Sequence, residues 1–258
     1  MNDIAVIIPM YNFGDMTRDC ITATLENAGV PVDIHVIDDC STVPFVDNRV
    51  TVHRLNKNVG YTEATNHGIL KCWNDYKYVH FLNNDTIPRK DFIKILLDTL
   101  NGDKDIGIAC SAREVTLQGK PMLEMYPIDL LTGWGGYQEL DAPLDETYHC
   151  AWVPVCSALV RVEVIHYTGL LDRRMKNHCS DNDFCVRAGE IGYKTVLVPA
   201  SRVLHIHEVT TKNVGANAAV DQQVLITKIR CDYRKNLLEN FAVDGSNNKW
   251  GSLEFKLK

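Results

Sequence analysis

The run Ile4-Ala5-Val6-Ile7-Ile8-Pro9 has no polar face. A strand with water on one side alternates polar and apolar residues. An uninterrupted apolar run belongs to a strand covered on both faces, as in a parallel sheet between helices. The run breaks at Pro9-Met10-Tyr11-Asn12-Phe13-Gly14, after which Met16, Cys20, Ile21, Thr24, Leu25 and Ala28 recur along one side of a helix that Gly29 ends. The same pattern then repeats. Val32 to Ile37 reads as a second strand, stopping at Asp38-Asp39-Cys40-Ser41-Thr42, and Val50 to Leu55 as a third. Asn56 to Gly60 reads as a loop and Tyr61 to Lys71 as a helix. Tyr78 to Leu82 is a further strand, Pro88 opens a helix reaching Leu100, and Ile106 to Ala112 is strand again. Alternating strand and helix specify an α/β chain, three layers α/β/α deep, around a mostly parallel central sheet.

In such sheets ligands sit beyond the carboxyl ends of the strands. The stretch Phe81-Leu82-Asn83-Asn84-Asp85-Thr86-Ile87-Pro88 puts a single carboxylate at such an end. Asp85 is a hard oxygen ligand, suited to a Mg²⁺ or Mn²⁺ ion that also holds phosphate oxygens. The same Asn-Asn-Asp sequence also favours a plain turn. Two phosphate-binding signatures are missing. No Gly-x-Gly-x-x-Gly follows the first strand, against a dinucleotide dehydrogenase, and no Gly-x-x-x-x-Gly-Lys-Ser/Thr occurs, against a P-loop NTPase. Tyr11, just past the first strand, offers a ring on which a nucleobase can stack, or an aromatic plug for the sheet edge.

Composition closes off other classes. With 258 residues the chain makes one large domain or two small ones. A net charge of −6 without a basic tract argues against a nucleic-acid partner. No apolar run approaches the roughly 20 residues of a membrane span. The start lacks a basic region and a long apolar stretch, so no secretory signal is expected. Nine cysteines without a Cys-x-x-Cys pair fit reduced thiols and a cytoplasmic location.

Taken together, several motifs are similar to those of family 2 glycosyltransferases of the GT-A fold. They are Ile-Pro-Met-Tyr-Asn after the first strand, Ile-Asp-Asp-Cys-Ser after the second, and Asn-Lys-Asn-Val-Gly followed by Ala64, Asn66 and Gly68. Leu-Asn-Asn-Asp-Thr-Ile-Pro occupies the position of the family's Asp-x-Asp motif. The likeness continues through Trp152 to Val160, Gly169 to Asp172 and Ser180-Asp181-Asn182-Asp183-Phe184-Cys185-Val186-Arg187, and so spans nearly all of residues 1–207.

The resemblance implies a metal-dependent, inverting transfer of a hexosyl or deoxyhexosyl group from a UDP-, GDP- or dTDP-sugar to an acceptor hydroxyl, in glycan or polysaccharide synthesis. It implies a nucleotide site at Pro9, Tyr11, Asn12, Asp39, Gly60 and Asn84, with Asp39 on the base and Asn84 facing the ribose. It assigns Asp85 and His205 to Mn²⁺ or Mg²⁺, and Asp181 to the catalytic base. Asn83 and Asn84 stand where acidic residues are common, so metal affinity without nucleotide is expected to be weak. Ser180 replaces the usual Glu before the base.

The residues also support plainer readings. Ser180 can cap a helix from 180 to 191 with Asp181 and Asp183 in its first turn, and the helix-end dipole is then expected to lower the Asp181 pKa. His205 and His207 form a His-x-His pair on a strand, without further zinc ligands nearby in sequence. The aperiodic segment 114–148 reads as an insertion shaping the acceptor pocket, where Trp134, Trp152 and Asp183 would meet the acceptor.

One domain is thus expected over 1–207, with a nucleotide half to about 112 and an acceptor half from about 113. Residues 208–258 are expected to hold a mobile loop, a helix from 222 to 241 and a tail. Two alternatives remain in view: a GT-A module that binds nucleotide or glycan without catalysis, and a nucleotidyltransferase making sugar nucleotides.

Overall fold

The computed structural model describes residues 2–117, 120–125, 136–139, 147–206, 218–228, 241–244 and 254–257. β1 (Ile4–Met10) is buried along its whole length. Successive side chains of a strand point to opposite faces, and here each face has its own core. Ala5 and Ile7 join Ile37, Ala64, Phe81 and Phe184, whereas Ile4, Val6 and Ile8 join Cys20, Ile21, Phe92 and Leu96. A sheet with a core on either side is the three-layer arrangement expected.

α1 (Gly14–Asn27) and α3 (Phe92–Gly102) supply one outer layer. α2 (Tyr61–Cys72), α4 (Val162–Thr168) and α5 (Ser180–Glu190) supply the other. β3 (Thr51–Arg54), β2 (Asp33–Asp38), β1 and β4 (Tyr78–Leu82) lie side by side, all parallel. β10 (Ser157–Arg161) runs antiparallel between β4 and β6 (Ile106–Leu117). β6 is parallel to β11 (Lys194–His205), whose outer edge carries β5 (Thr86–Pro88) antiparallel. The carboxyl ends of β1, β2 and β4 therefore open on one rim, where a ligand crevice is expected.

α2 lies hard against the sheet. A Cβ on Gly68 would stand 2.4 Å from Ile7 Cγ2 and 3.2 Å from Ile37 Cγ1. Both partners are fully buried β-branched residues with no room to retreat. Gly68→Ala is expected to destabilise the fold by about 1–3 kcal/mol, the scale of overpacking a core. The measurement is a lower urea midpoint at unchanged slope. An unchanged midpoint would mean that α2 can lift from β1 at no cost.

Two local expectations give way. Thr86 to Pro88 is strand rather than the start of a helix, and α3 begins only at Phe92 after Asp91 in the left-handed region (φ 61°). The cause is long-range: Thr86, Ile87 and Pro88 pair with His205, Leu204 and Val203. Segment 114–148 is not wholly irregular, because β6 runs on to Leu117 and pairs with β7 (Lys120–Met125), which pairs with β8 (Gly136–Glu139). β11 itself is not regular: its pairing with β6 shifts register between Val198 and Arg202, and β9 (Tyr148–Cys150) pairs along it.

Toward the C-terminus α6 (Ala218–Lys228) covers the first part of the helix expected over 222–241 and begins four residues before it, whereas Phe241, at the expected end, is strand. β12 (Phe241–Asp244) and β13 (Glu254–Leu257) pair antiparallel where a tail was expected. The loop expected over 209–219 lies almost wholly outside the described residues, as do Trp134 and His207. No helix among the described residues is long and apolar enough to cross a membrane. Burial pushes the thiols of Cys20, Cys72, Cys156 and Cys185 up to about 12, as inert core residues.

Candidate active site

A cleft of about 520 Å³ opens at the rim where β1, β2 and β4 end. Pro9 lines it from β1 and Tyr11 from just past that strand, Asp39 from just past β2, Gly60 from the loop before α2, and Asn84 and Asp85 from the turn between β4 and β5. Asp181 enters from the first turn of α5, and His205 from the last residue of β11. Residues scattered over nearly two hundred positions thus meet in one place.

The two adjacent acids at the end of β2 have separate tasks. Asp38 is fully buried and accepts from Ser41 N (2.8 Å), Phe45 N (3.1 Å) and Arg54 Nη1 (2.5 Å). Burial raises its pKa, but those donors outweigh burial and hold the carboxyl below its ordinary value. Asp38 therefore ties its own loop to β3. Asp39 faces the cleft and accepts from Val59 N (2.7 Å) and Gly60 N (2.9 Å). For Asp39 burial prevails over those two bonds, and its pKa is raised. Each of its oxygens has a second lone pair for a ligand donor.

Asn12 stands elsewhere. It is left-handed (φ 61°), its N–H donates to Ser41 Oγ (2.8 Å), and its Oδ1 accepts from Thr42 N (2.9 Å). It pins the β1 loop to the β2 loop without lining the cleft. Asn84 does line the cleft, while its amide donates to Thr17 Oγ1 (3.1 Å) and so anchors the β4 loop to α1.

Asp85 and His205 meet because β5 pairs with the end of β11. His205 Nε2 lies 3.0 Å from Asp85 Oδ1, and Arg113 Nη1 lies 3.3 Å from His205 Nδ1. A guanidinium only donates, so the neutral imidazole carries its proton on Nε2, directed at Asp85. Arg113 is held in turn by Glu124 (2.5 Å).

This pair suits a small divalent cation. Two ligands at about 2.1 Å and a right angle around an octahedral ion stand about 3 Å apart. Oδ1 and Nε2 match that spacing, but an imidazole that binds through Nε2 carries its proton on Nδ1, so Arg113 would have to turn away from Nδ1 for an ion to be held there. No group of three His, Cys, Asp or Glu that could hold a metal occurs among the described residues. One carboxylate and one imidazole leave most of the coordination sphere to phosphate oxygens and water, the habit of Mg²⁺ and its relatives.

Asp181 differs from its expected setting. Ser180 does not cap α5: the helix begins at Ser180 itself, and the serine is buried, accepting from Thr62 Oγ1 of α2 (2.9 Å). Asp181 Oδ1 accepts from Asn182 N (2.9 Å). The pKa is raised, not lowered. Burial is the largest cause and outweighs the backbone donors of the helix end.

Asp183 and Trp152 are not brought to the cleft. Asp183 is fully buried, accepts from Arg187 Nε (2.8 Å) and pairs with Lys228 of α6. Trp152 packs against the core cluster that holds Phe81 and Phe184.

Other cleft residues carried little sequence signal. Lys176, Asn177 and His178 line the wall beside Asp181 in an irregular segment, and they are set there by tertiary hydrogen bonds. Arg113 had a faint signal, a charge just after the apolar stretch 106–112, which reads equally as a strand end.

Known proteins resemble this chain in the same region. A family model described as Glycosyl transferase family 2 matches residues 5–165. Glycosyltransferase GlyG of Streptococcus pneumoniae serotype 4 (strain ATCC BAA-334 / TIGR4) is 28% identical over 115 residues, covering 41% of this chain and 37% of that protein. The putative teichuronic acid biosynthesis glycosyltransferase TuaG of Bacillus subtilis (strain 168) is 28% identical over 104 residues, covering 37% of this chain and 40% of that one. The chain thus spans about two fifths of the length of these curated relatives. A crystal structure of GalNAc-T7 with UDP, GalNAc and Mn²⁺ superposes with a TM-score of 0.65 at 15% identity, covering 81% of this chain and 45% of that chain. At that identity the likeness is one of fold.

Proposed function

Since this chain belongs to glycosyl transferase family 2 and has a GT-A-like fold, we propose that it moves a hexosyl or deoxyhexosyl group from a nucleoside-diphosphate sugar to an acceptor hydroxyl. The transfer inverts the anomeric carbon, and the donor is a UDP-, GDP- or dTDP-sugar. One observation carries the reading: Asp39, Asp85 and Asp181 face a single cleft, each with a different set of partners.

The three carboxylates divide the work. Tyr11 stacks on the base, and Asp39 accepts its N–H from the far side of the Val59–Gly60 loop. Asn84 lies toward the ribose. Asp85 and His205 would hold Mn²⁺ or Mg²⁺ beside the diphosphate, and the neighbour solved with UDP and Mn²⁺ supports that choice of ion. Bound there, the ion would supply Lewis-acid charge for the departing diphosphate. Asp181 stands ready to accept the proton of the acceptor hydroxyl. That oxygen bonds to the anomeric carbon as the bond to the diphosphate oxygen breaks, and the electron pair leaves with the nucleoside diphosphate. Burial raises the Asp181 pKa, which makes it a stronger base than an exposed carboxylate.

The test is a set of UDP, GDP and dTDP and their sugars, each with Mn²⁺ or with EDTA, read by melting temperature and calorimetry. A correct nucleotide at 100 times its Kd adds about 2.7 kcal/mol of stability. Asp39→Ala is expected to remain folded and to weaken that nucleotide by about 1–3 kcal/mol, the scale of a charged hydrogen bond. No stabilisation by any nucleotide, or equal affinity in a folded Asp39→Ala protein, would remove the donor site. Binding without any turnover would leave a nucleotide-binding module.

A further inference from the structure

The wall beside Asp181 is held from outside its own element. The carboxylate of Asp221, on α6, accepts three successive backbone N–H groups: Lys176 (3.0 Å), Asn177 (2.9 Å) and His178 (2.9 Å). Asp221 is 4% exposed, so water competes little for those donors. The far side of the same segment is fastened to the start of α2. Lys176 O accepts from Thr62 N (3.0 Å), and Asn177 Oδ1 accepts from Tyr61 N (3.3 Å). All three residues of the segment line the cleft, and the chain then passes through Cys179 (φ 64°) into α5 and Asp181. α6 has a second, separate hold: Lys228 Nζ pairs with Asp172 (2.9 Å) and with the buried Asp183.

We propose that Asp221 is a positioning residue, which fixes segment 176–178 and with it the approach of substrate to Asp181. Three N–H groups converging on one carboxylate leave the segment a single backbone conformation. A chain released at that point can rotate about three consecutive residues, and a displacement of about 1 Å near the reacting groups is enough to cost about 10²-fold in rate. The residue doing this lies beyond residues 5–165 that match the family model. The two attachments of α6 also separate its duties. Lys228 secures the helix to the core, whereas Asp221 passes that rigidity to the cleft. The inference rests on the transferase reading, with the site built around Asp181.

Asp221→Ala, Asp221→Glu and Lys228→Met test it, with the donor sugar and ion that stabilise the wild-type chain best. The readouts are melting temperature, nucleoside-diphosphate affinity, kcat for release of nucleoside diphosphate, and amide exchange at 176–178. In Asp221→Ala, kcat is expected to fall at least tenfold and the three amides to lose protection, with nucleotide affinity within about twofold. Asp221→Glu restores part of kcat. Lys228→Met lowers the melting temperature by a similar amount and leaves kcat in place. A kcat loss in Lys228→Met equal to that in Asp221→Ala would make α6 a general brace and overturn the proposal. Wild-type kcat in Asp221→Ala would overturn it too, with the transferase reading intact. A wild-type chain that turns over no sugar nucleotide would remove both.

Discussion

Asp181→Asn is expected to lower transfer by about 10²–10⁴-fold, the usual contribution of a general base, while nucleotide binding stays as in the wild type. Asn keeps the shape and the Oδ1 that accepts from Asn182 N, so α5 should start where it does now. Stability gives an independent sign. Burial raises the Asp181 pKa in the folded state, so the folded chain binds the proton more tightly than the unfolded one. The stability this contributes is present below the ordinary carboxylate pKa and is lost as pH rises through the folded value. At neutral pH a neutral Asn avoids that cost, and the melting temperature of Asp181→Asn should equal or exceed that of the wild type. An acid that served only the helix start would behave the other way, losing about 0.3–1 kcal/mol with turnover nearly untouched.

The pH profile follows from the same shift. Turnover needs the ionised carboxylate, so it should climb as pH rises through the raised pKa of Asp181 and then level off. The acid limb should lie above that of an exposed aspartate. Asp183→Asn is the contrast: it disturbs the buried pairs with Arg187 and Lys228, and is expected to lower stability with little change in turnover per folded molecule. If Asp183→Asn alone abolished turnover, the base would be assigned to the wrong carboxylate.

Asp85→Ala is expected to erase the difference between nucleotide binding in Mn²⁺ and in EDTA, and to reduce turnover on the order of 10³-fold, as several kcal/mol of charge stabilisation are lost. His205→Ala should weaken the Mn²⁺ effect less, because the carboxylate remains. Affinity in EDTA should stay near wild type in both, since the base site at Tyr11 and Asp39 is on other strands. A Mn²⁺ effect of full size in a folded Asp85→Ala protein would reduce Asp85 to the turn residue its sequence neighbourhood also allows.

How far the residues alone carry differs from element to element. β1 is legible because Ile4 to Pro9 has no polar face, and only a strand with a core on either side uses such a run. The acids after β2 and β4, and Asp181 at the start of α5, are legible as candidates because strand ends and helix starts are local events, written in adjacent residues. Which acid does what is not local. Asp38 and Asp39 are neighbours of the same type, and only the donors at Ser41, Phe45 and Arg54 turn the first inward while Val59 and Gly60 meet the second. Asp181 looked like a helix-start acid with a lowered pKa. Its burial, a property of what packs around it, reverses the sign.

The meeting of Asp85 with His205 rests on β5 pairing with β11, and that ladder also turned an expected helix start at Pro88 into strand. Asp183 and Trp152 carried the residue types of an acceptor site, yet packing directs Asp183 into the interior and lays the half-buried Trp152 against the core. The grip of Asp221 on residues 176–178 joins segments more than forty positions apart, with no motif in either. Periodicity and chain breaks specify secondary structure because they act over a few residues. Pairing partners, burial and the pKa shifts that follow are set by atoms distant in sequence, and only the folded chain brings those atoms within reach.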